Sequence, residues 1–269
     1  MSSRWAMTRA VMAKDFTAIR RSKPVVLPML IVPMLLMVVL PLLIGMVARS
    51  DATPDVSSLL RRLPGDIADP ILSLPPREQV VVLVNGYLLA PLFLIVPLMV
   101  AAVLAADSFA GEKERRTLEA LLHAPIPDRT LFYAKVLGAF LPAVAISWIG
   151  FLAYAVVSNI VAWPVMHRVF VPTKLWGVMI LWVAPAVAAL GMGVMVRVSA
   201  RARGVQEASQ LGGAVILPLI FLAVGQATGL LLVTLPVAVA IGAAVWLVAL
   251  WLTVRGAGKF TRDRMAASV

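Results

Sequence analysis

The chain lacks cysteine and has two histidines, His123 and His167. Without cysteine there are no disulfides, thiolate metal sites or cysteine nucleophiles. The two histidines fall in different predicted loops, so we expect no histidine metal cluster. Acidic residues are also few, 13 against 24 Lys and Arg. The basic residues stand beside and between long apolar runs, a distribution typical of a membrane protein that argues against a nucleic-acid partner.

Charge of either sign is scarce. Charged residues make up 14% of the 269-residue chain and apolar residues 61%, with a mean hydropathy of +0.96. A soluble domain is about half apolar and about a quarter charged. A water-soluble fold of this length could not bury so much apolar surface, so lipid must be part of its solvent.

Six apolar runs are long enough to cross a hydrocarbon core of roughly 30 Å as helices. They cover residues 25–48, 80–106, 136–161, 175–196, 208–228 and 229–254. The last two form one block, in which Gly225 to Gly229 is the predicted turn. The sequence therefore predicts an all-α polytopic membrane protein with six transmembrane helices in a domain at 25–254.

The distribution of Lys and Arg predicts the orientation. Eighteen of these residues lie in segments that face one side, and six face the other. The richer side comprises residues 1–24, the loop 107–135, the loop 197–207 and the tail 255–269. Basic loops stay in the cytoplasm, so we expect a multi-pass protein of the inner or plasma membrane, with both termini cytoplasmic and residues 49–79 as an outer loop. Prolines at 64, 70, 75 and 76 are expected to interrupt that outer loop.

Residues 1–24 precede the first span and have amphipathic spacing. Trp5, Met12, Phe16 and Ile19 fall on one helical face, and most basic residues lie off it. This pattern predicts an interfacial helix that lies flat in the headgroup region. An ordinary solvated amphipathic helix is the alternative.

The six runs contain no Asp, Glu, Lys, Arg or His. Ion-coupled carriers and channels usually need an ionisable or coordinating group at membrane depth, so this class is disfavoured. No catalytic constellation stands in the runs, which argues against an enzyme. The chain also has no G-x-x-x-x-G-K-[ST] phosphate loop. Energy from ATP would have to come from a separate chain.

The most informative segment is Phe109-Ala-Gly-Glu-Lys-Glu-Arg-Arg-Thr-Leu-Glu-Ala-Leu-Leu-His-Ala-Pro125. After Gly111 its pattern predicts a helix of about three turns, with an apolar stripe at Leu118, Leu121 and Leu122. Pro125 stops this helix, and Asp128 is the expected cap of the next span. The stripe would either dock on a soluble motor or lie in lipid.

The same segment resembles the signature of the ABC type-2 permease family. The matching residues are Glu112-Lys113-Glu114, Thr117-Leu118-Glu119, Leu121-Leu122 and Pro125, followed by Lys135 and Gly138 in the next span. Ala13-Lys14-Asp15-Phe16 and Arg20-Arg21-Ser22-Lys23 also resemble that family. Arg116 stands where the family usually has glycine.

The resemblance implies the permease subunit of an ATP-binding-cassette exporter that pairs with a second copy or a related permease. Two ABC ATPase subunits would carry ATP and magnesium, and this chain would bind no cofactor and have no ATPase activity of its own. The residues expected to couple the ATPase to the spans are Glu112, Glu114, Arg115, Thr117, Leu118, Glu119, Leu121, Leu122 and Pro125. The alternatives are a non-transporting scaffold or receptor and, less favoured, an ion-coupled carrier or channel.

Two further patterns concern packing. Gly191 and Gly193 favour close helix approach. Five tryptophans are predicted to be mostly anchors at the membrane interfaces: Trp148, Trp176, Trp182, Trp246 and Trp251.

Overall fold

The protein is a helical bundle in a computed structural model. The structure describes residues 6, 8–10, 12–14, 17, 23–50, 54–61, 63, 65–114, 127–201, 205–227 and 233–259. Within these ranges the secondary structure is helical, with short connections and no strand. The all-α prediction is confirmed for an integral membrane protein.

Eight helices follow one another along the described ranges from Lys23 to Lys259. They are α1 (Lys23–Met34, a π-helical turn at Leu35–Val39, then Leu40–Arg49), α2 (Ser57–Leu60), α3 (Gly65–Leu72), α4 (Pro76–Leu83, a π-helical turn at Val84–Leu88, Leu89–Phe93, then Ile95–Glu114), α5 (Asp128–Met166), α6 (Lys174–Val178, a π-helical turn at Met179–Val183, then Ala184–Arg201), α7 (Val205–Gly213, a 3₁₀ turn at Ala214–Ile216, then Leu217–Ala227) and α8 (Leu235–Lys259).

Five stretches of the described residues are helical, long and apolar enough to span a membrane. They are Met29–Arg49, Pro76–Gly111, Asp128–Met166, Lys174–Ser199 and Leu235–Gly258. The predicted span at 208–228 falls on α7, which the 3₁₀ turn divides, so the count of six stays a prediction. The predicted turn at 225–229 begins too early, because α7 continues to Ala227.

The helices extend beyond the apolar runs from which they were predicted. α5 has 39 residues, about 58 Å at 1.5 Å per residue, which exceeds a hydrocarbon core of about 30 Å. α4 likewise continues past residue 106 to Glu114. We call the end of the bundle with residues 107–135 the loop end and the opposite end, with residues 49–79, the distal end.

α4 and α6 form the interior of the bundle. In each of these two helices, 67% of the residues in an apolar 18-residue stretch are buried. The corresponding share is 33% in α5, 22% in α8 and 17% in α1. The main apolar cluster is correspondingly built from α4 and α6, with α5 packed beside them. The helices at the periphery leave large side chains exposed, as expected where lipid or another membrane chain covers them.

Glycine allows the two central helices to approach each other closely. A Cβ on Gly191 of α6 would lie 2.6 Å from Leu98 Cδ1 and 3.0 Å from the Leu98 carbonyl oxygen of α4. Gly193 faces α8 instead, where a Cβ would lie 3.0 Å from Leu252 Cβ. The packing role predicted for these glycines is therefore confirmed.

The predicted outer loop, at the distal end, contains two short helices, α2 and α3. α3 passes through Pro70, contrary to the prediction that this proline breaks the chain. Ile67, Ala68 and Ile71 of α3 are buried in a small apolar cluster with Leu60 and Leu83. Burial of this face compensates for the backbone hydrogen bond that proline cannot make. Just before α2, the Ser57 N–H donates to Asp55 Oδ1 at 2.8 Å, and this hydrogen bond lowers the pKa of the exposed Asp55.

Part of the predicted interfacial helix lies outside the described residues, including Trp5, Phe16 and Ile19. The described residues between 6 and 17 are helical. Met12 is half-buried, and a Cβ on Gly138 would lie 3.7 Å from Met12 Cγ. This face of the segment therefore packs against α5.

Candidate coupling site

The segment predicted to couple the protein to a motor connects α4 and α5. Glu112 and Glu114 are the beginning and end of the last turn of α4, and their side chains are not described. The other predicted site residues lie outside the described ranges: Arg115, Thr117, Leu118, Glu119, Leu121, Leu122 and Pro125. The leucine stripe and its charged neighbours therefore stay a prediction.

α4 does not end before this segment. The helix continues through Gly111 to Glu114, whereas the sequence predicted a separate helix after Gly111. The glycine is buried, and packing outweighs its cost of roughly 1 kcal/mol in a helix interior. Residues 112–114 are consequently one rigid element with the most buried part of the bundle.

α5 begins at Asp128, and the residue that caps it is Pro127. Pro127 has φ −60° and ψ 138°, and no side chain caps this helix end. The prediction that Asp128 is the cap is therefore wrong. As the first residue of the helix, Asp128 instead places its negative charge near the positive end of the helix dipole.

Lys135 is the central polar residue of this site. Its side chain is 1% exposed, although lysine is rarely buried completely. The Nζ donates a hydrogen bond to the Ser108 carbonyl oxygen of α4 and lies 5.2 Å from the ring centroid of Phe109. Asp107 and Ser108 are 4% and 5% exposed. The junction therefore contains buried charges of both signs, one on each helix.

Aromatic rings extend the junction to α8. Phe109 of α4 lies 6.3 Å from Phe132 of α5, measured between ring centroids. A Cβ on Gly256 of α8 would lie 3.3 Å from Phe132 Cζ. The first turns of α5 are thus held between α4 and α8 at the point where the predicted coupling segment enters the bundle.

Sequence reasoning missed this role of Lys135. It counted the residue as one of the basic charges that set orientation and as part of the family signature. The available signal was its position at the start of an apolar run, where a charge that stays in the helix must find an internal partner. Knowing that the partner is a backbone carbonyl requires the register between α4 and α5.

Tryptophan and tyrosine satisfy carbonyl groups at the π-helical turns. Within α4, the Asn85 carbonyl oxygen accepts hydrogen bonds from Tyr154 Oη at 2.7 Å and Trp176 Nε1 at 3.0 Å. Within α6, the Ile180 carbonyl oxygen accepts a hydrogen bond from Trp148 Nε1 at 3.2 Å. The Trp182 carbonyl oxygen accepts one from Trp246 Nε1 at the same distance. These bonds join α5 and α8 to the two central helices.

The interface role predicted for tryptophan fails for Trp176, which is fully buried beside Phe93 and Tyr154. Trp251 at the loop end fits the prediction better. It is half exposed, and the guanidinium carbons of Arg197 and Arg255 lie 4.9 and 4.4 Å from its ring centroid. Cation–π contacts of this kind suit an aromatic ring between apolar and polar surroundings.

The distal end carries a second candidate site. An open groove of about 490 Å³ is lined by Ser50, Pro75, Pro76, Arg77, Glu78, Pro164 and Val165. Glu78 forms an ion pair of 3.3 Å with Arg168. Nearby, Arg49 donates from Nε to the Val161 carbonyl oxygen at 3.0 Å. This arginine therefore joins α1 to α5, in addition to being one of the basic residues from which the orientation was predicted.

Comparison with known families agrees with the fold and the signature. The model of the family described as ABC-2 family transporter protein matches residues 9–236. No curated protein matched the chain. The family match covers most of the membrane-spanning helices and the whole connection between α4 and α5. The chain therefore belongs to the ABC-2 transporter family and is the membrane-spanning permease component of an ABC transporter.

Proposed function

We propose that the chain is the permease subunit of an exporter driven by separate ATPase subunits that dock on residues 112–124. The observation that carries this proposal is the continuity of α4. The helix runs from Pro76 at the distal end, through the interior, to Glu114 at the start of the predicted docking segment. A displacement applied at Glu114 would therefore act directly on one of the two most buried helices.

The docking surface in this proposal is the leucine stripe. Leu118, Leu121 and Leu122 insert into an apolar groove of the ATPase, and the charges around them fix register and partner choice. ATP and magnesium are bound by the two ATPase subunits. When ATP closes these subunits, the 112–124 segment moves with them and shifts α4 against its neighbours. Packed helices respond to such a push by moving between discrete arrangements.

The translocation path would lie between two permease chains. Leu30, Met34 and Met46 of α1 are 60%, 63% and 62% exposed, and α8 exposes Leu247 to 70%. Such apolar faces suit lipid and a second transmembrane chain alike. The second chain is another copy or a related permease. Because polar side chains are few among the described helices, the proposed substrate is hydrophobic or amphipathic.

The decisive variant combines Leu118→Asp with Leu122→Asp. Two carboxylates on the stripe would have to be desolvated in an apolar groove, which strongly disfavours docking. We expect normal membrane insertion, loss of the co-purifying ABC ATPase, and loss of ATP-dependent export. Export is measured by comparing the compounds released by cells that carry the transporter with those released when its ATPase is inactivated, by mass spectrometry.

The matched control is Ala120→Asp with His123→Asp. These positions lie opposite the leucine stripe on the predicted helix, so the same two charges should leave docking intact. Equal loss in both variants would contradict a stripe-specific docking surface. ATPase binding without ATP-dependent export would favour a scaffold or receptor, and export that persists without ATPase but stops when ion gradients are collapsed would favour an ion-coupled carrier.

A further inference from the structure

Packing does not explain a lysine at position 135. The side chain is 1% exposed, and removing an ammonium group from water is costly even when it is paired. Methionine has a similar length and would fill the same volume without that cost. The reason for a lysine here must therefore lie in the interactions of its charged Nζ, among them the hydrogen bond to α4 and the contact with Phe109, rather than in filling space.

One hydrogen-bond partner of Lys135 is a main-chain atom, so the contact joins a side chain of one helix to the backbone of another. The Ser108 carbonyl oxygen belongs to the backbone of α4, so the bond joins the side chain of α5 to the axis of α4. A bond to a flexible side chain would let the two helices slide. The ring of Phe109, 5.2 Å from the Nζ, holds the ammonium group from a second direction.

The position of this bond relative to the docking segment is equally specific. Ser108 lies six residues before Glu114, the end of α4, and Lys135 lies seven residues after Asp128, the start of α5. At 1.5 Å per residue these are distances of about 9 and 10 Å. The bond therefore closes the loop 107–135 at matching depths on its two sides.

From these observations we propose that Lys135 is a positioning residue that makes the first turns of α5 follow the end of α4 when the ATPase moves the docking segment. This proposal rests on the proposed function and adds a second route for the movement. Without the bond, force would reach α5 only through the chain that connects Glu114 to Asp128. With it, α4 and α5 move as a pair.

The first experiment needs no ATPase. Amide hydrogen exchange of the full chain in lipid nanodiscs is compared for wild type, Lys135→Met and Lys135→Arg. We expect Lys135→Met to exchange about tenfold faster over residues 108–114 and 128–134, because a hydrogen bond from a charged group is lost. Lys135→Arg keeps a cationic donor and should stay within about threefold of wild type. Unchanged exchange in Lys135→Met would overturn the proposal.

The second experiment measures movement in the complex with its ATPase. The change in exchange between the nucleotide-free state and the state trapped with ADP and vanadate is recorded for α4 and α5 separately. We expect residues 108–114 and 128–134 to respond together in wild type and Lys135→Arg. In Lys135→Met the response of 128–134 should fall several-fold and that of 108–114 should persist. Retention of both responses in Lys135→Met would contradict the positioning role.

Controls separate the proposal from folding and from the proposed function. Arg129→Met removes an exposed cation from the same end of α5 and should behave as wild type in both experiments. If Lys135→Met fails to insert, Asp107→Asn with Lys135→Met removes both buried charges and takes its place. If no ATPase binds the wild-type chain, the proposed function fails, and the first experiment alone decides whether the bond couples α4 to α5.

Discussion

Gly45 is where the packing of α1 against α5 is most sensitive to added volume. A Cβ at this position would lie 2.0 Å from Val161 Cγ1 and 2.9 Å from Val161 Cβ. Valine has little rotameric freedom in a helix, so rotation of Val161 cannot remove both overlaps. Gly45→Ala must therefore move one helix away from the other.

The same movement affects Arg49, one turn further along α1. The Nε and Nη2 of Arg49 both donate to the Val161 carbonyl oxygen. Because Gly45→Ala would push α1 away from Val161, it would also lengthen these hydrogen bonds. Overpacking costs about 1–3 kcal/mol, and weakening hydrogen bonds from a charged group adds up to about 1.5–3 kcal/mol. Replacing glycine by alanine within a helix returns roughly 1 kcal/mol. These terms sum to about 0–5 kcal/mol, so we expect Gly45→Ala to lower the free energy of unfolding by about 2–3 kcal/mol, the middle of that range.

Unfolding by SDS in mixed micelles, followed by tryptophan fluorescence, measures this change. Gly150→Ala is the matched control, because its Cβ would lie 3.6 Å from the flexible Met37 side chain and should be neutral or slightly stabilising. Val161→Ala should lower stability in the wild type and raise it in the Gly45→Ala background. Equal stability of the two glycine variants, or a coupling energy below about 0.5 kcal/mol in this cycle, would refute the reasoning.

Two further variants test contacts elsewhere in the bundle. Trp246→Phe removes the indole donor of the Trp182 carbonyl oxygen and should lower the free energy of unfolding in the same SDS titration by about 0.5–1.5 kcal/mol, whereas no change would mean that another donor satisfies this carbonyl. Asn159→Ala removes two acceptor contacts, to the N–H groups of Phe170 and Val171, and the donor contact to the Val171 carbonyl oxygen. Limited proteolysis should then cut residues 167–173 about tenfold faster, with Asn159→Asp, which keeps the acceptor, less affected.

The general architecture could be predicted from sequence because lipid imposes a strong rule. A run of about 20 apolar residues without charge has few fates other than a spanning helix. Five of the predicted runs overlap the five span-length helices, and three of them, 80–106, 136–161 and 175–196, lie wholly within those helices. Helix ends were less predictable, because residues beyond the hydrocarbon core have no such constraint. α4 and α5 therefore extend further toward the loop end than hydropathy indicated.

The interior contacts could not be predicted, because they depend on register between helices that are distant in sequence. The approach of Gly191 to Leu98 follows a known preference for small residues, but its partner does not follow from the pattern. The buried state of Trp176 contradicts the usual place of tryptophan in membrane proteins. It arises because the π-helical turn in α4 presents a carbonyl group that needs a donor where no water is available.

The π-helical turns also bear on how α4 could move. A helix with a carbonyl that is satisfied by side chains of its neighbours can change its internal hydrogen bonds while that carbonyl stays paired. In α4 such a carbonyl, at Asn85, lies between the distal end and the Lys135 junction at the loop end. The end of α4 near Ser108, which Lys135 binds, would then move as a straight unit when Glu114 is pushed. Conformational change would concentrate at Val84–Leu88 and at Leu94, where the helix already departs from α geometry. This division of α4 into a rigid loop-end half and an adaptable turn gives the proposed transporter a place for its hinge that does not depend on any single proline.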